Sequence, residues 1–568
     1  MTAVAWAVIG LATGTFAPVK LAFAGDQLTI TSKAGYTNTT APIASAGAQE
    51  KPNVLELSIT DIQRAYASKK YTAEELTRAF LDRIAQYEPS YNAFVAMNPS
   101  ALDDAKAIDK RLASGEKLGP LAGVPVVIKE AMDIAGLPST AGWEKLSSRA
   151  GGIDLIPATD APAVARLRAA GAIILGKTNI PAFSDSGTRA NTSWDGPTYN
   201  AVNRDLAPGA SSSGTATAVS ASFAVVGLAE ETGGSIQNPA AAQSLVSVKP
   251  TFGLVPNAGV APLAGSTRDV VGPHAKTVRD AAIVLDALAG YTSEDPKTVA
   301  SFGNIPEGGY AAGLNETALK GRRIGLYGPG WRNQDLLFSE ETNKLYQRAI
   351  VEIEARGAIV VSDPFAGSGF ADLALPGDGS DPRGTESVAY DFEQYLRRLG
   401  PNAAAHSVAE LVKLTGESPL EGKGHLAWYV DALPELKASM SDPTKAPDLS
   451  GFRDLREKYL RIFNKVMDEK NLDALVFPQM TKPVPPLFSK EPYSTTTVSE
   501  INITGVPGVT VPAGAYANCS PFSLLFVGRL WDEAGLLAMA FDYEQATKHR
   551  IVPKLVVAPI TKDTGKAN

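Results

Sequence analysis

The sequence predicts an α/β protein in which a large mixed β-sheet is layered by helices. Short apolar runs at Val124–Ile128 and Ala172–Leu175 enclose helical material at Ala161–Ala170. A second series begins at Arg323–Tyr327 and leads into the helical segment Glu340–Ala355. Strands that alternate with helices in this way are typical of layered α/β domains with a partly parallel sheet.

The first helical segment covers residues 57–90. Within it, Thr72 and Glu75 form a capping-box pattern, which marks the start of a helix. The apolar residues that follow are four positions apart, as expected on one face of a helix: Leu76, Phe80 and Ile84. We therefore expect this amphipathic segment to pack on the sheet.

The middle and the end of the chain complete the prediction. Ala216–Leu228 is rich in Ala, Ser and Val and suits a tightly buried helix. Residues 366–450 are irregular, and long segments of this kind more often shape a substrate entrance than a core. The remaining strands and the last helix are expected at Ala358–Val361, Ala474–Phe477, Val509–Val511, Phe522–Val527 and Asp532–Thr547.

Composition excludes several classes of function. The 568 residues are 44% hydrophobic and carry a net charge of −7 without runs of like charge, so we expect neither nucleic-acid binding nor a polybasic membrane anchor. The single cysteine, Cys519, rules out an intrachain disulfide. The sequence has no CxxC or HExxH motif, and its four histidines lie far apart, so no zinc site is expected.

Residues 207–253 carry the pattern that points to chemistry. They place Ser211 and Ser235 in two Gly/Ser-rich turns on either side of an apolar run, and Lys129 ends another apolar run upstream. A serine needs a base, a proton route and an oxyanion site before it acts as a nucleophile. This pattern offers candidates for all three without histidine.

The turn from Thr232 to Ser235 is the candidate oxyanion site. Gly233 and Gly234 let successive N–H groups turn to one concave side, where they can bind an anion. The alternative is a tight turn that a serine caps. Lys129 also has two interpretations: its side chain extends from a strand end to solvent, or burial favours the neutral amine, which then acts as a base.

Two other motifs are nearly present. Gly209–Thr215 resembles a phosphate-binding P-loop, but Thr215 stands where the lysine belongs, so the charge for a phosphate is missing. A G-x-S-x-G elbow around Ser212 has Ala210 in place of its first glycine. A Ser-His-Asp hydrolase would have His274 as its most plausible base.

Taken together, these motifs resemble the amidase signature family. Its glycine/serine-rich stretch is matched by Gly209–Gly214 and Thr232–Pro239, and Val248–Gly253 continues it. The resemblance extends from about residue 57 to 550, and its further matches are Gly123-Val124-Pro125 through Lys129, Gly176–Asn179, Thr504–Pro507 and Val511–Gly514. The Ser-Ser-Ser-Gly variant is similar to the branch that contains bacterial peptide amidases.

The resemblance implies a Ser-cisSer-Lys triad. Ser235 matches the nucleophile, and Lys129 matches the base. Ser211 matches the bridging serine, which the family places after a cis peptide bond, here from Ala210. None of the three triad positions departs from the family pattern.

The resemblance also implies a set of supporting residues. Ser212 matches a serine that helps to hold the lysine, and Ala210 and Ser213 replace common family glycines. Glu231 and Gln237 stand where many members carry Asp and Arg, so an ion pair beneath the loop is expected to be missing or rewired. The backbone N–H groups that match the oxyanion hole belong to Thr232, Gly233, Gly234 and Ser235.

The expected function is therefore an amide-bond hydrolase that releases ammonia or an amine and requires no metal or organic cofactor. Its substrate would be a small-molecule or peptide amide, and residues 183–200 and 366–450 are expected to set selectivity. Two other interpretations stay open: an amidotransferase subunit that passes ammonia to a partner, and a non-catalytic binding protein of the same fold. A homodimer is also open.

The resemblance suggests one amidase domain at 53–555, followed by a flexible tail at 556–568. Residues 1–24 read as a signal peptide, because an apolar stretch ends in the small-residue site Ala22-Phe23-Ala24. Residues 25–52, rich in Thr, Ser, Ala and Gly, read as a linker. We therefore expect a secreted or periplasmic protein. In the alternative interpretation, the N-terminal segment is a frayed apolar tail or a first helix, and the protein is cytoplasmic.

Overall fold

A computed structural model describes residues 51–558, apart from 187–190, 333–337, 376–380, 428–429, 431–432, 434–435 and 492. The described residues all fall in one compact unit. The predicted signal peptide and nearly all of the predicted linker lie outside the described residues, as does most of the predicted tail, so these assignments stay predictions.

The described strands form one mixed sheet of 11 strands in the order β1-β3-β2-β4-β6-β5-β10-β11-β9-β7-β8. Strand β2 pairs in parallel with β3 and β4, whereas β4 and β6 are antiparallel. This confirms the predicted fold class. The strands are β1 (Phe94–Met97), β2 (Pro125–Lys129), β3 (Ile173–Thr178), β4 (Val226–Glu231), β5 (Val246–Lys249), β6 (Val270–Ala275), β7 (Arg323–Leu326), β8 (Ile359–Val361), β9 (Ala474–Pro478), β10 (Gly508–Ala515) and β11 (Pro521–Val527).

Helices cover the sheet, and several begin at side-chain caps. Thr72 caps the second helix by accepting from the Glu75 N–H, and the Glu75 carboxylate accepts from the Thr72 N–H in return. The described helices are α1 (Ile59–Ala67), α2 (Ala73–Tyr87), α3 (Ala101–Ala113), α4 (Pro162–Ala169), α5 (Ser213–Ser220), α6 (Gln237–Ala242), α7 (Val278–Leu288), α8 (Glu340–Ala355), α9 (Val388–Arg398), α10 (Val408–Thr415), α11 (Leu436–Ser441), α12 (Ser450–Glu469), α13 (Ser499–Thr504) and α14 (Glu533–Thr547).

Two sequence predictions about helices were wrong. Residues 57–90 form two helices, because the first one ends at Ala67 and Thr72 starts the second. The segment Ala216–Leu228 contains only the end of α5, and its second part belongs to β4. The physical reason is that Val226 pairs with both Val126 of β2 and Ala275 of β6, so strand pairing overrides the local helix preference of small residues.

The central strands lie between helix layers and are buried along their whole length. Every residue of β2, β3 and β4 is buried. Near-continuous apolar runs are typical of strands buried on both faces. Within the described part of the chain, no helix combines the length and the apolarity needed to cross a bilayer.

Candidate active site

Lys129 lies at the carboxyl end of the buried strand β2. Because β2 and β4 run in parallel with Ile128 opposite Leu228, both strands end at the same edge of the sheet. Polar residues at the carboxyl ends of parallel strands are well placed to form a site there. This edge brings Lys129 close to Glu230 and to the turn that follows β4.

The Lys129 amine has three oxygen neighbours. Its Nζ lies 2.7 Å from Ser211 Oγ, 2.6 Å from Glu230 Oε2 and 3.1 Å from the main-chain oxygen of Glu230. The Lys129 and Glu230 side chains are 0% and 2% exposed. The interpretation in which Lys129 reaches to solvent is therefore wrong, and the amine is held inside the protein on Ser211.

Ser211 lies in the loop that enters α5. The peptide bond between Ala210 and Ser211 is cis, as the family resemblance implies. Gly209 has φ +70°, and a Cβ there would lie 2.5 Å from the Cα of Pro239. Only glycine fits this position without displacing backbone, so Gly209 lets the Ser211 loop approach α6 closely.

Ser235 lies in the turn between β4 and α6, with 4% of its surface exposed. The Ser212 N–H donates to its main-chain oxygen at 3.3 Å, so the two serine loops are joined directly. Gly234 has φ +98°, and the Asn238 N–H donates to its carbonyl at 2.7 Å. The backbone of the candidate oxyanion turn is thus shaped by a glycine and fixed by the start of α6.

Ser212 is held by main-chain atoms of Glu230. Its Oγ donates to the Glu230 carbonyl at 3.2 Å and accepts from the Glu230 N–H at 3.3 Å. The same Glu230 carbonyl accepts from Lys129 Nζ. The contact of Ser212 with the lysine therefore runs through Glu230.

Sequence reasoning missed two carboxyl groups: Glu230, which contacts the lysine, and Asp269, which approaches Glu230 through Thr232. The Thr232 hydroxyl lies 3.2 Å from Glu230 Oε1 and 2.6 Å from Asp269 Oδ1. Burial, and then the neighbouring Glu230 carboxylate, raise the pKa of Asp269 to about 7. The signal for Glu230 was present: two consecutive acidic residues end a buried strand directly before the glycine turn.

Hydrogen bonds stand beneath the loop at Glu231 and Gln237, where the family resemblance led us to expect a missing or rewired ion pair. Gln237 donates from its amide to Glu231 Oε1, and the Ile236 N–H donates to Glu231 Oε2 at 2.8 Å. Asn502 of α13 also donates to Glu231, at 2.7 Å. Glu231 therefore binds the chain immediately after Ser235 and fixes the start of α6.

His274 does not have the character of a catalytic base. It lies within β6, and its Nε2 is 2.8 Å from the carbonyl oxygen of Ile236. Burial lowers its pKa to about 4. In the residues that the structure describes, no cluster of three or more His, Cys, Asp or Glu side chains is arranged to hold a metal ion.

Known proteins resemble this chain in sequence and in fold. The family model described as Amidase matches residues 75–375. A glutamyl-tRNA(Gln) amidotransferase subunit from Synechococcus sp. (strain JA-3-3Ab) is 32% identical over 537 residues, which cover 90% of this chain and 96% of that protein. A probable amidase of Arabidopsis thaliana is 29% identical over 526 residues, 89% of this chain and 92% of that protein.

A solved structure shares the architecture. The native peptide amidase from Stenotrophomonas maltophilia superposes with a TM-score of 0.71 at 31% identity, covering 88% of this chain and 99% of that one. The sequence matches, the mixed sheet and this superposition all agree. The chain belongs to the amidase signature family and is an enzyme of that family, which acts on amides.

Proposed function

We propose that the protein hydrolyses carboxamide C–N bonds through an acyl-enzyme on Ser235, with Ser211 as the bridging serine and Lys129 as the base. One observation carries the proposal: the Lys129 amine lies 2.7 Å from Ser211 Oγ, in a loop joined to the Ser235 turn. A lysine in this position gives a serine hydroxyl a route for its proton without histidine.

Acylation starts when Ser235 Oγ attacks the carbonyl carbon of the amide. The Ser235 proton passes to Ser211 Oγ, and the Ser211 proton passes to Lys129 Nζ. The tetrahedral oxyanion accepts hydrogen bonds from N–H groups of the turn formed by Thr232, Gly233, Gly234 and Ser235. The proton then returns through Ser211 to the leaving nitrogen, the C–N bond breaks, and ammonia or an amine departs.

Deacylation uses the same groups. A water molecule attacks the ester carbon of acylated Ser235 while Ser211 and Lys129 take its proton. The second tetrahedral intermediate collapses, the ester C–O bond breaks, and Ser235 recovers a proton. The products are a carboxylic acid and the free enzyme.

The proposed substrate is a linear amide, either a small molecule or a peptide amide. Support comes from the solved peptide amidase, which covers nearly the same length of chain. Residues 183–200 and 366–450 are proposed to contribute to selectivity.

The test is a competition assay. A peptide amide, an aliphatic carboxamide, an anilide and an ester are pooled, and the products are followed by mass spectrometry with a Ser235→Ala blank. We expect products that disappear in the blank. Product formation that persists at the wild-type rate in Ser235→Ala would refute the proposed nucleophile.

A second candidate is an ammonia-releasing amidotransferase subunit. It is favoured by relatives that are subunits of glutamyl-tRNA(Gln) amidotransferases, at 32% identity over most of the chain. Strict use of glutamine, together with a partner that co-purifies with the protein, would support it. Hydrolysis of several pooled amides by the protein alone would support the first candidate.

A further inference from the structure

The Glu230 side chain is buried beside the proposed base. Its Oε2 lies 2.6 Å from Lys129 Nζ, and its carbonyl oxygen lies 3.1 Å from the same atom. A buried lysine is subject to two opposing influences: removal from water favours the neutral amine, and a neighbouring carboxylate favours the ammonium. Glu230 is therefore a carboxyl group in direct contact with the amine that the proposed reaction uses as its base.

Glu230 also acts on the direction of the amine. A neutral amine has two hydrogens and one lone pair, and a base needs its lone pair on the incoming proton. If both hydrogens of Lys129 bond to the two Glu230 oxygens, the lone pair is left for the Ser211 hydroxyl, 2.7 Å away. When Lys129 is protonated, its three hydrogens satisfy the same three oxygens.

We propose that Glu230 is a positioning residue, which orients the Lys129 amine on Ser211 and sets the pH range in which that amine accepts a proton. This inference rests on the proposed function, because it assigns Glu230 a task in the same proton route. The Glu230 main chain is itself fixed, since Ser212 Oγ bonds to both its N–H and its carbonyl.

Other titratable groups face this pair from the side of β6. Asp269, which directly precedes β6, approaches Glu230 through the Thr232 hydroxyl. The Thr232 hydroxyl has one hydrogen and can donate it to only one of the two carboxyl groups. If Asp269 is protonated, it donates to the Thr232 oxygen while Thr232 donates to Glu230, so both contacts are hydrogen bonds. Burial and Glu230 raise the pKa of Asp269 to about 7. Arg268 donates to the Thr232 carbonyl at 3.1 Å.

The remaining charged neighbours have other partners or are neutral. His274 of β6 has a pKa lowered to about 4 by burial, so it is uncharged at neutral pH. Lys177 of β3 donates to Ser139 at 2.8 Å and lies 3.7 Å from Glu130. Helix α5 contains no titratable side chain. The charged residues of α7, which also packs on β4, contact other parts of the chain: Arg279, Asp280 and Asp286.

The test measures the charge of Lys129 directly. Protein labelled with ¹³C at lysine Cε is titrated by NMR, and Lys129→Met identifies the signal. Glu230→Gln keeps an acceptor in place but removes the carboxylate, so we expect the Lys129 midpoint to be lower in the variant than in the wild type. The titration is repeated with Asp269→Asn as the background, which removes the neighbouring group that titrates near neutral pH.

Activity supplies the second measurement. With a substrate found in the competition assay, the acidic limb of kcat/KM is expected to move to lower pH in Glu230→Gln by the same amount. Glu230→Ala also removes the oxygen that orients the amine, so its plateau is expected to fall at least tenfold below that of Glu230→Gln. Glu533→Gln, a buried carboxyl group of α14 that accepts from the Thr251 N–H at 2.6 Å, is the control and should leave both midpoints unchanged.

The outcomes separate this inference from the proposed function. Ser235-dependent turnover with an unchanged Lys129 midpoint in Glu230→Gln would overturn the role of Glu230 and leave the triad standing. An equal plateau in Glu230→Gln and Glu230→Ala would overturn the orienting role. A shifted midpoint in a protein without Ser235-dependent turnover would overturn the proposed function, and with it any task of Glu230 in the reaction.

Discussion

At the scale of single residues, Ser211 and Ser235 are proposed to share one proton route. Residues that act as a unit are strongly non-additive, because the loss of either one already stops the shared step. We expect Ser211→Ala and Ser235→Ala each to lower kcat by about 10³-fold or more, and the double variant to be no worse than the slower single variant. The measurement is kcat with a substrate from the competition assay.

The control for this comparison is Ser220→Ala. Ser220 is a buried serine of α5 whose hydroxyl donates to the carbonyl of Gln243 at 2.8 Å, away from the proposed route. Its loss should leave kcat near the wild-type value. If the fold-losses in kcat of the two single variants multiply in the double variant, Ser211 and Ser235 act independently, and the shared proton route is contradicted.

A second prediction at the scale of single residues concerns Gly209. Alanine at φ +70° is strained, and here its Cβ would also collide with the backbone at Pro239. Gly136 has a similar φ of +78° with open space around it, so Gly136→Ala measures the strain alone, about 1–2 kcal/mol. In urea unfolding, Gly209→Ala should cost more than this control and should also lower activity. Equal losses of unfolding free energy in Gly209→Ala and Gly136→Ala would contradict the close approach of the Ser211 loop to α6.

The sequence was enough to predict some residues of the site but not others. Lys129 and Ser211 could be named as candidates because the family resemblance singled them out, whereas the local pattern at Lys129 left two interpretations open. Glu230 looked like part of a buried strand, and its proposed role depends on its contact with Lys129 of the neighbouring strand β2. Asp269 is far along the chain, and only the folded β4–β6 pair brings it to Thr232.

At the scale of elements, helix α13 depends on a buried ion pair. Arg332 donates to both oxygens of Glu500 at 2.7 Å, and the two side chains are 6% and 1% exposed. Removing one partner leaves the other charge buried and unpaired. Arg332→Met is therefore expected to lower the free energy of unfolding by about 3–5 kcal/mol, as measured by urea unfolding.

A surface pair is the matched comparison. Arg78 Nη2 lies 2.8 Å from Glu74 Oε1, a distance similar to that of the buried pair, but both side chains are partly exposed to water. Arg78→Met should leave the free energy of unfolding unchanged within error, since exposed pairs contribute little. If the double variant Arg332→Met/Glu500→Gln is more stable than Arg332→Met alone, the unpaired charge is the cause of the loss. If Arg332→Met loses no more unfolding free energy than Arg78→Met, the dependence of α13 on this ion pair is refuted.

Elements with strong local signals were predicted well, and those set by partners were not. The capping box at Thr72 and the helix Glu340–Ala355 were placed correctly. Strands β5 and β6 were not predicted, because β5 is short and β6 contains Gly272, Pro273 and His274. Their strand character comes from pairing with each other and with neighbours across the sheet.

At the scale of the whole molecule, buried carboxyl groups make stability depend on pH. Glu88 is the simplest case: its Oε2 is inaccessible and has no hydrogen-bond partner among the described residues. Burial raises its pKa from 4.5 to about 8. The folded state then holds a proton that the unfolded state has lost, so this stabilisation is full below about pH 4.5 and is lost as the pH rises towards 8.

Glu88→Gln tests this contribution by difference. The amide does not titrate, so the stability of the variant relative to the wild type should rise steadily between pH 5 and pH 8. Urea unfolding at several pH values measures it, and the other titrating groups cancel in the difference. A constant difference over this range would show that Glu88 titrates alike in both states.

The order of the 11 strands is also a property of the whole molecule. Local patterns indicated a mixed sheet, but they do not encode that β1 lies outside β3 or that β9 follows β11. Such pairings depend on contacts between residues that are distant in sequence. The resemblance to a known family implied a single large domain, which the local patterns alone did not.

The most direct test of the proposed chemistry is to trap the acyl-enzyme. The protein is mixed with an ester or anilide substrate, quenched in acid within one turnover, digested and analysed by mass spectrometry. We predict that the acyl group is found on the peptide that contains Ser235 and is absent from the Ser235→Ala variant. An acyl group on another residue, or turnover by Ser235→Ala at the wild-type rate, would contradict the proposed mechanism.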